Sequence, residues 1–225
     1  MHTELAFQDR ASAGRVLADL LTEYANSSEV VVLALPRGGV PVGFQVARSL
    51  RAPLDVLPVR KLGVPGREEL AMGAIASDGT RVVNRRVVRE LGIAEDTLQA
   101  VAAAESQELE RRERTYRDQR PRPELTGKVV IVVDDGLATG ATMWAAVAAI
   151  RRQQPARIVV AVPVGAASTC QQLQQAADEV VCASTPALFV AVGQAYRDFE
   201  QTTDEEVCAL LDAARATEDD QAAGG

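Results

Sequence analysis

VVIVVDDGLATGATMW, residues 129–144, is the stretch whose reading decides the fold. It opens as an unbroken apolar run, the pattern of a strand covered on both faces. The strand ends on two adjacent carboxylates, Asp134 and Asp135. Gly136, Leu137, Ala138, Thr139 and Gly140 then form a tight turn into a helix predicted to run through Ile150. Backbone N–H groups at such a turn converge on an anion, and the helix dipole adds to the attraction. Thr139 and Thr142 supply hydroxyl donors. Carboxylates would repel a phosphate they touched, but they suit the hydroxyls of a sugar one step along the same ligand. The local chemistry therefore spells a sugar phosphate, with its diol on the acid pair and its terminal phosphate in the turn. No Gly-x-x-x-x-Gly-Lys-Ser/Thr segment accompanies it, so the acid pair is not half of a Walker-type nucleotide site.

Outward from this segment, strands alternate with helices. EVVVLAL (29–35) is a second continuous apolar run, broken by PRGG (36–39) and followed by a helix over 40–50. LDVLPVR (54–60) reads as a strand and KLGVPGREE (61–69) as a loop. Residues 71–84 read as a hairpin turning at Asp78-Gly79. A charged helix is expected over 85–118, carrying Glu108–Arg112, Glu110–Arg114 and Glu113–Arg117 at i,i+4 spacing. ARIVVAVPV (156–164) and EVVCAS (179–184) are strands separated by a helix over 169–178. An amphipathic helix lies within 8–26, and Thr203 with Glu206 forms a capping box for the last helix. The alternation predicts an α/β fold with a central, mainly parallel sheet flanked by helices. One domain is expected over 1–215, with 70–125 inserted between two sheet strands, a C-terminal segment over 186–215, and a disordered acidic tail over 216–225.

Charge and composition narrow the function. The 225 residues hold 24 Lys plus Arg against 31 Asp plus Glu. Nine of the acids lie in residues 198–225 with a single Arg, so the body of the chain is close to neutral. No broad basic surface for nucleic acid is expected. The one His is His2, which leaves no internal histidine for general-base or metal chemistry. Cys170, Cys182 and Cys208 have no Cys-x-x-Cys spacing and read as buried thiols of a reducing compartment. No signal peptide or spanning segment is visible, so a cytoplasmic protein is expected.

The 129–144 segment resembles the signature of the type I phosphoribosyltransferases, two acids followed by Thr-Gly-x-Thr after an apolar strand. That resemblance implies a Rossmann-like fold with a C-terminal hood, and a ligand, phosphoribosyl pyrophosphate (PRPP). Asp134 and Asp135 would hold its ribose hydroxyls, and Gly136, Leu137, Ala138, Thr139, Gly140 and Thr142 its 5′-phosphate. Arg37, Gly38 and Gly39 resemble the family's pyrophosphate loop. Arg60 and Lys61 resemble the Arg-Lys pair that opens the mobile catalytic loop in adenine and orotate members. DDGLATGATM is similar to the adenine enzyme's version, while Ala138 stands where hypoxanthine–guanine members carry an aspartate. Tyr196 and Phe199, in the aromatic stretch 186–200, are acceptor candidates by stacking, and Glu68 and Glu69 are acids that could lie near the acceptor. Arg114, Tyr116 and Arg117 offer a lid over the phosphates, against the plainer reading of a solvated helix face. The implied activity is transfer of the phosphoribosyl group to a nucleobase-like nitrogen acceptor in nucleotide salvage, with Mg²⁺ carried by PRPP and water rather than by protein ligands. A homodimer without membrane or nucleic-acid partners is expected. The alternative is a non-catalytic regulator that senses PRPP or a nucleotide on the same fold.

Overall fold

A computed structural model describes residues 7–117 and 120–223, apart from the side chains of Glu69 and 219–223. His2, and the Glu69, Asp219 and Asp220 side chains weighed above, therefore lie outside the described residues. In chain order the elements are α1 (Arg10–Asp19), β1 (Val30–Ala34), α2 (Gly39–Leu50), β2 (Leu54–Val56), β3 (Val59–Val64), β4 (Arg67–Ala76) and β5 (Arg81–Val83). There follow α3 (Arg85–Glu90), α4 (Glu95–Arg117), β6 (Val129–Val133), α5 (Ala141–Arg151), β7 (Arg157–Val164), α6 (Ala167–Leu173), β8 (Glu179–Ser184) and α7 (Asp204–Ala223).

Five strands form a parallel sheet in the order β2-β1-β6-β7-β8. Every residue of β1 is buried, as is all but the first residue of β6 and of β7. Helices cover both faces, which is why these strands read as unbroken apolar runs. On one face Leu17, Val46, Leu50, Val207 and Leu211 pack over Ile131, Val133 and Val159. On the other, Met143, Ile150 and Leu173 pack over Val130, Val132 and Val160. From β1 the chain crosses to β2 on one side, and from β6 it crosses to β7 on the other. β1 and β6 are neighbours, in register from Val30↔Val129 to Ala34↔Val133. The crevice at their C-terminal ends is thus the point where strand order reverses, the place where open α/β sheets bind ligands.

The segment between β2 and β6 differs from the sequence reading. The strand expected over 54–60 stops at Val56, and Pro58, which has no N–H for a ladder, precedes a new strand. The loop expected over 61–69 is instead a hairpin: β3 pairs antiparallel with β4, turning at Gly66 with φ +75°. Register shifts around Gly63 interrupt the side-chain alternation that would have revealed it. β4 and β5 form the expected hairpin, and the Asp78 carboxylate accepts from the Thr80 N–H at 2.8 Å. The expected single helix over 85–118 is two, separated around Gly92, whose φ is +62°. α3 and α4 cover the three-stranded sheet through Leu62, Met72, Leu98 and Leu109. α7 continues to Ala223, through residues expected to be disordered.

Cys170 and Cys182 are also corrected, since they form a disulfide rather than two free thiols; Cys208 is free. The sequence could not pair them because they lie on different elements, α6 and β8. No helix among the described residues is long and apolar enough to cross a membrane.

Candidate active site at the sheet crevice

Asp134 and Asp135 emerge from the end of β6, in the crevice. The Asp135 N–H donates to the Asp134 carboxylate at 2.8 Å. Burial, and then the charge of Asp135, push the Asp134 carboxyl well above the usual carboxylate range. Burial also raises Asp135, against the opposing pull of Arg10. The turn that follows is stitched to the β7–α6 connection. Leu137 donates its N–H to the Val164 carbonyl and accepts from the Ala166 N–H, both at 2.9 Å. The Thr169 hydroxyl donates to the Ala138 carbonyl at 2.8 Å. Gly140 closes the turn at φ +75°, a conformation that favours glycine. Ala138 and Thr139 are exposed, and among the described residues the N–H groups of Ala138, Thr139 and Gly140 have no protein acceptor. Thr142 is half-buried in the first turn of α5. Unused amides at the start of an eleven-residue helix form an anion cradle.

The PRGG turn lies against the acid pair. The Leu35 N–H donates to the Val133 carbonyl at 2.8 Å, extending β1 beside β6 up to the turn. The Pro36–Arg37 peptide is cis. A Cβ on Gly38 would overlap the Asp135 carboxylate, and one on Gly39 would stand 2.8 Å from the Val133 carbonyl oxygen. Only glycine lets the two turns approach so closely. Arg37 is partly exposed, with Nη1 3.9 Å from Asp204 Oδ1.

Other expected site residues stand elsewhere. Arg60 and Lys61 are on β3, opposite Ile75 and Ala74, not in a loop at the end of a parallel strand. Arg60 Nε bonds Glu105 Oε2 of α4 at 2.6 Å. Tyr196 is buried: its ring packs against Phe7 and Phe199, and its hydroxyl donates to the Asp135 carbonyl at 2.5 Å. Tyr196 therefore props the acid pair from behind. Phe199 is 37% exposed. Glu68 is exposed and accepts from the Gly66 N–H. Arg117 and Tyr116 anchor α4 instead of closing as a lid. Buried Arg117 bonds Asp55 at 2.6 Å and the Val56 carbonyl at 2.8 Å, and the Tyr116 hydroxyl bonds Asp204 at 2.5 Å.

Two features escaped the sequence reading. Arg10 Nε bonds Asp135 Oδ2 at 2.8 Å, and its partner lies 125 residues away. One local signal existed: a cation in the first helical turn opposes the helix dipole and needs another reason to be there. The second is a cavity of about 370 Å³ between the phosphate turn and the β4–β5 hairpin, reached by Thr139, Asn84 and Gln172 and bordered by Trp144.

Residues 6–199 match the family model of the phosphoribosyl transferase domain. The chain belongs to the phosphoribosyl transferase family. Its parallel sheet flanked by helices is the type I architecture of that family. Two Mycobacterium tuberculosis proteins, provisionally named phosphoribosyl transferases, are each 52% identical over 208 residues, covering 92% of this chain and 47% of theirs. The chain thus spans about half the length of the curated relatives it matches. The crystal structure of TT1426 from Thermus thermophilus is 43% identical, covers 91% of this chain and 97% of that one, and superposes with a TM-score of 0.77.

Proposed function

We propose that this member of the family binds PRPP and transfers its phosphoribosyl group to a nitrogen acceptor of the nucleobase class, releasing pyrophosphate. The observation that carries the reading is the contact of two turns across the crevice. The PRGG turn meets the acid pair at Gly38 and Gly39, and the unused amides of 138–140 lie directly beyond that pair. A ligand spanning them presents a pyrophosphate, a diol and a terminal phosphate in that order.

In this reading Asp134 and Asp135 accept the ribose hydroxyls, the 138–140 amides and Thr142 hold the 5′-phosphate, and the Arg37 side chain with the Arg37 and Gly38 amides receives the pyrophosphate. The acceptor nitrogen forms a bond to C1′ as the C1′–oxygen bond to pyrophosphate breaks, through an oxocarbenium-like state, and the nitrogen's proton leaves to water. Little protein acid–base chemistry is needed; positioning and charge neutralisation supply the rate. Two carboxylates, one already engaged by Arg10, are too few for a closed metal site. Mg²⁺ would therefore be held by PRPP oxygens and water, and there it would neutralise the leaving pyrophosphate. Arg60 and Lys61 are the cations assigned to that group's departure.

The Arg60–Glu105 pair favours a second reading, because a cation already neutralised by a carboxylate is a poor partner for pyrophosphate. In that reading the pocket serves a non-catalytic sensor of PRPP or a nucleotide. Pyrophosphate release separates the two, measured with Mg²⁺ and PRPP across purines, pyrimidines and related heterocycles. Release with at least one acceptor supports the enzyme; PRPP-dependent thermal stabilisation without release supports the sensor. Unchanged PRPP stabilisation in D134N/D135N would overturn both.

A further inference from the structure

The guanidinium of Arg10 joins four parts of the chain that meet at the crevice. Nε bonds Asp135 Oδ2 at 2.8 Å, and Nη1 bonds the Glu200 carbonyl at 2.6 Å. Cζ lies 3.9 Å from the centre of the Phe199 ring, within cation–π range. A Cβ placed on Gly38 would come within 3.2 Å of Nε, so the PRGG turn abuts the same group. The side chain is only 11% exposed. Neither bond can be explained as support for α1, because Asp9 and Ser12 already cap that helix reciprocally.

We propose that Arg10 is a positioning residue for sugar-phosphate binding, fixing the Asp135 carboxylate and tying it to the aromatic segment 196–200 beside the acid pair. Asp135 has two oxygens and about four acceptor directions. Arg10 takes one on Oδ2 and leaves other acceptor directions of the carboxylate for a ribose hydroxyl. The groups facing Asp135 are Asp134 beside it, Arg10 from α1, the Tyr196 hydroxyl on its carbonyl, and the backbone of Gly38. Arg10 is the cation among them, and it offsets the mutual repulsion of two adjacent buried acids. A planar fork can do both things at once, since one edge serves the carboxylate and the Glu200 carbonyl while one face serves the Phe199 ring. A lysine would keep the charge and lose the fork.

This inference rests on Asp135 as a ribose-binding group, so the test carries a readout that needs no ligand. Ribose 5-phosphate, which lacks pyrophosphate, is titrated from pH 5 to 8 into wild type, R10Q, R10K and F199L. In parallel, carboxyl ¹³C NMR follows Asp135 in the ligand-free proteins. Expected for R10Q are an affinity loss of about tenfold or more at pH 7 and a rise of about one pH unit in both the acid limb and the Asp135 midpoint. R10K returns the midpoint towards wild type but not the full affinity, and F199L produces a smaller loss in the same direction. Equal or tighter ribose 5-phosphate binding by R10Q overturns the proposal, since Arg10 would then be a plug on the diol site. So does an Asp135 midpoint that does not move, which would make Arg10 a structural strut. If R10Q does not fold, R10K and F199L decide by the same criteria. If wild type binds neither ribose 5-phosphate nor PRPP while the R10Q midpoint still rises, the ligand reading fails and the positioning of Asp135 by Arg10 stands.

Discussion

The parallel sheet and the antiparallel sheet solve the problem of edges and faces in opposite ways. In the five-stranded parallel sheet the central strands β1 and β6 are apolar from end to end, and the acid pair and the PRGG turn lie where they stop, at 134–140 and 36–39. In the β3–β5 sheet charged side chains lie within the strands themselves, as at Arg60, Lys61 and Arg67, while its apolar residues divide between α4 (Leu62, Met72) and the core beneath α5 (Val59, Ala74, Ala76). The first arrangement fixes backbone amides and carboxylates rigidly against one another. The second carries cations on its strands and holds at least one of them by an ion pair, Arg60–Glu105.

The joint between the regions gives the largest expected effect. Arg117, at the end of α4, reaches the edge strand β2 through Asp55 and the Val56 carbonyl, and it is 6% exposed. Burial raises the Asp55 carboxyl, and Arg117 pulls it back. Removing the cation strands a buried carboxylate, so R117M should cost about 3–5 kcal/mol in chemical denaturation. R117M/D55N should recover much of that, and a double mutant as unstable as the single would show that the pair is not the joint.

Next comes G38A, which places a methyl group on the Asp135 carboxylate and separates the two turns. Displacement of about 1 Å at a reacting centre costs about 100-fold in rate, so pyrophosphate release from PRPP should slow by that order, with PRPP binding measured calorimetrically weakened in the same direction. Stability should fall far less than in R117M. The same substitution at Gly79, where nothing lies within 4 Å but φ is +82°, should alter stability and not ligand binding.

A smaller effect has the opposite sign. The Asp134 carboxyl is raised in the folded chain, so burying its charge opposes folding at neutral pH. That penalty is absent at pH values low enough to protonate the group in both states. It grows as pH rises above the unfolded value of 3.8 and is complete once pH passes the raised folded value. D134N should therefore raise Tm at pH 7 by about 2–4 °C, roughly 1 kcal/mol for a domain this size, and the gain should shrink towards pH 4. PRPP stabilisation would be lost in the same variant. The smallest effect is at the exposed Arg86–Glu90 pair of α3, where R86A should leave Tm unchanged within error.

The contrast between the sheets also governs what could be read in advance. β1, β6 and β7 are legible because full burial writes itself as an apolar run, and the acid pair with its turn is contiguous in sequence. The β3–β4 hairpin was hidden because the bulge at Gly63 breaks its alternation, and its residues 61–69 carry the Gly and Pro of a loop. The α3–α4 break was missed because the i,i+4 charge pairs read in the sequence lie beyond Gly92, at 108–117, and say nothing of where that helix begins. Arg10 could not be placed, because its bonds span 125 and 190 residues and no local pattern encodes such a pairing. The aromatic content of 186–200 is visible in the sequence, but the burial of Tyr196 against Phe7 and its bond to the Asp135 carbonyl are tertiary facts.

The clasp at Phe7 bears on the order of assembly. The Phe7 N–H donates to the Ala195 carbonyl at 2.7 Å, and the Arg197 N–H returns to the Phe7 carbonyl at 2.9 Å. Arg10, three residues further on, closes against Phe199 and Glu200. During synthesis the helix bearing Arg10 leaves the ribosome early, whereas its partners at 195–200 arrive after all five strands of the parallel sheet. The strands and phosphate turn can form on the nascent chain before the acid pair acquires its contacts with 195–200. Replacing Phe7 by Ala, which loosens the clasp and leaves the sheet and α7 in place, would consequently separate the time at which this chain folds from the time at which it becomes able to bind.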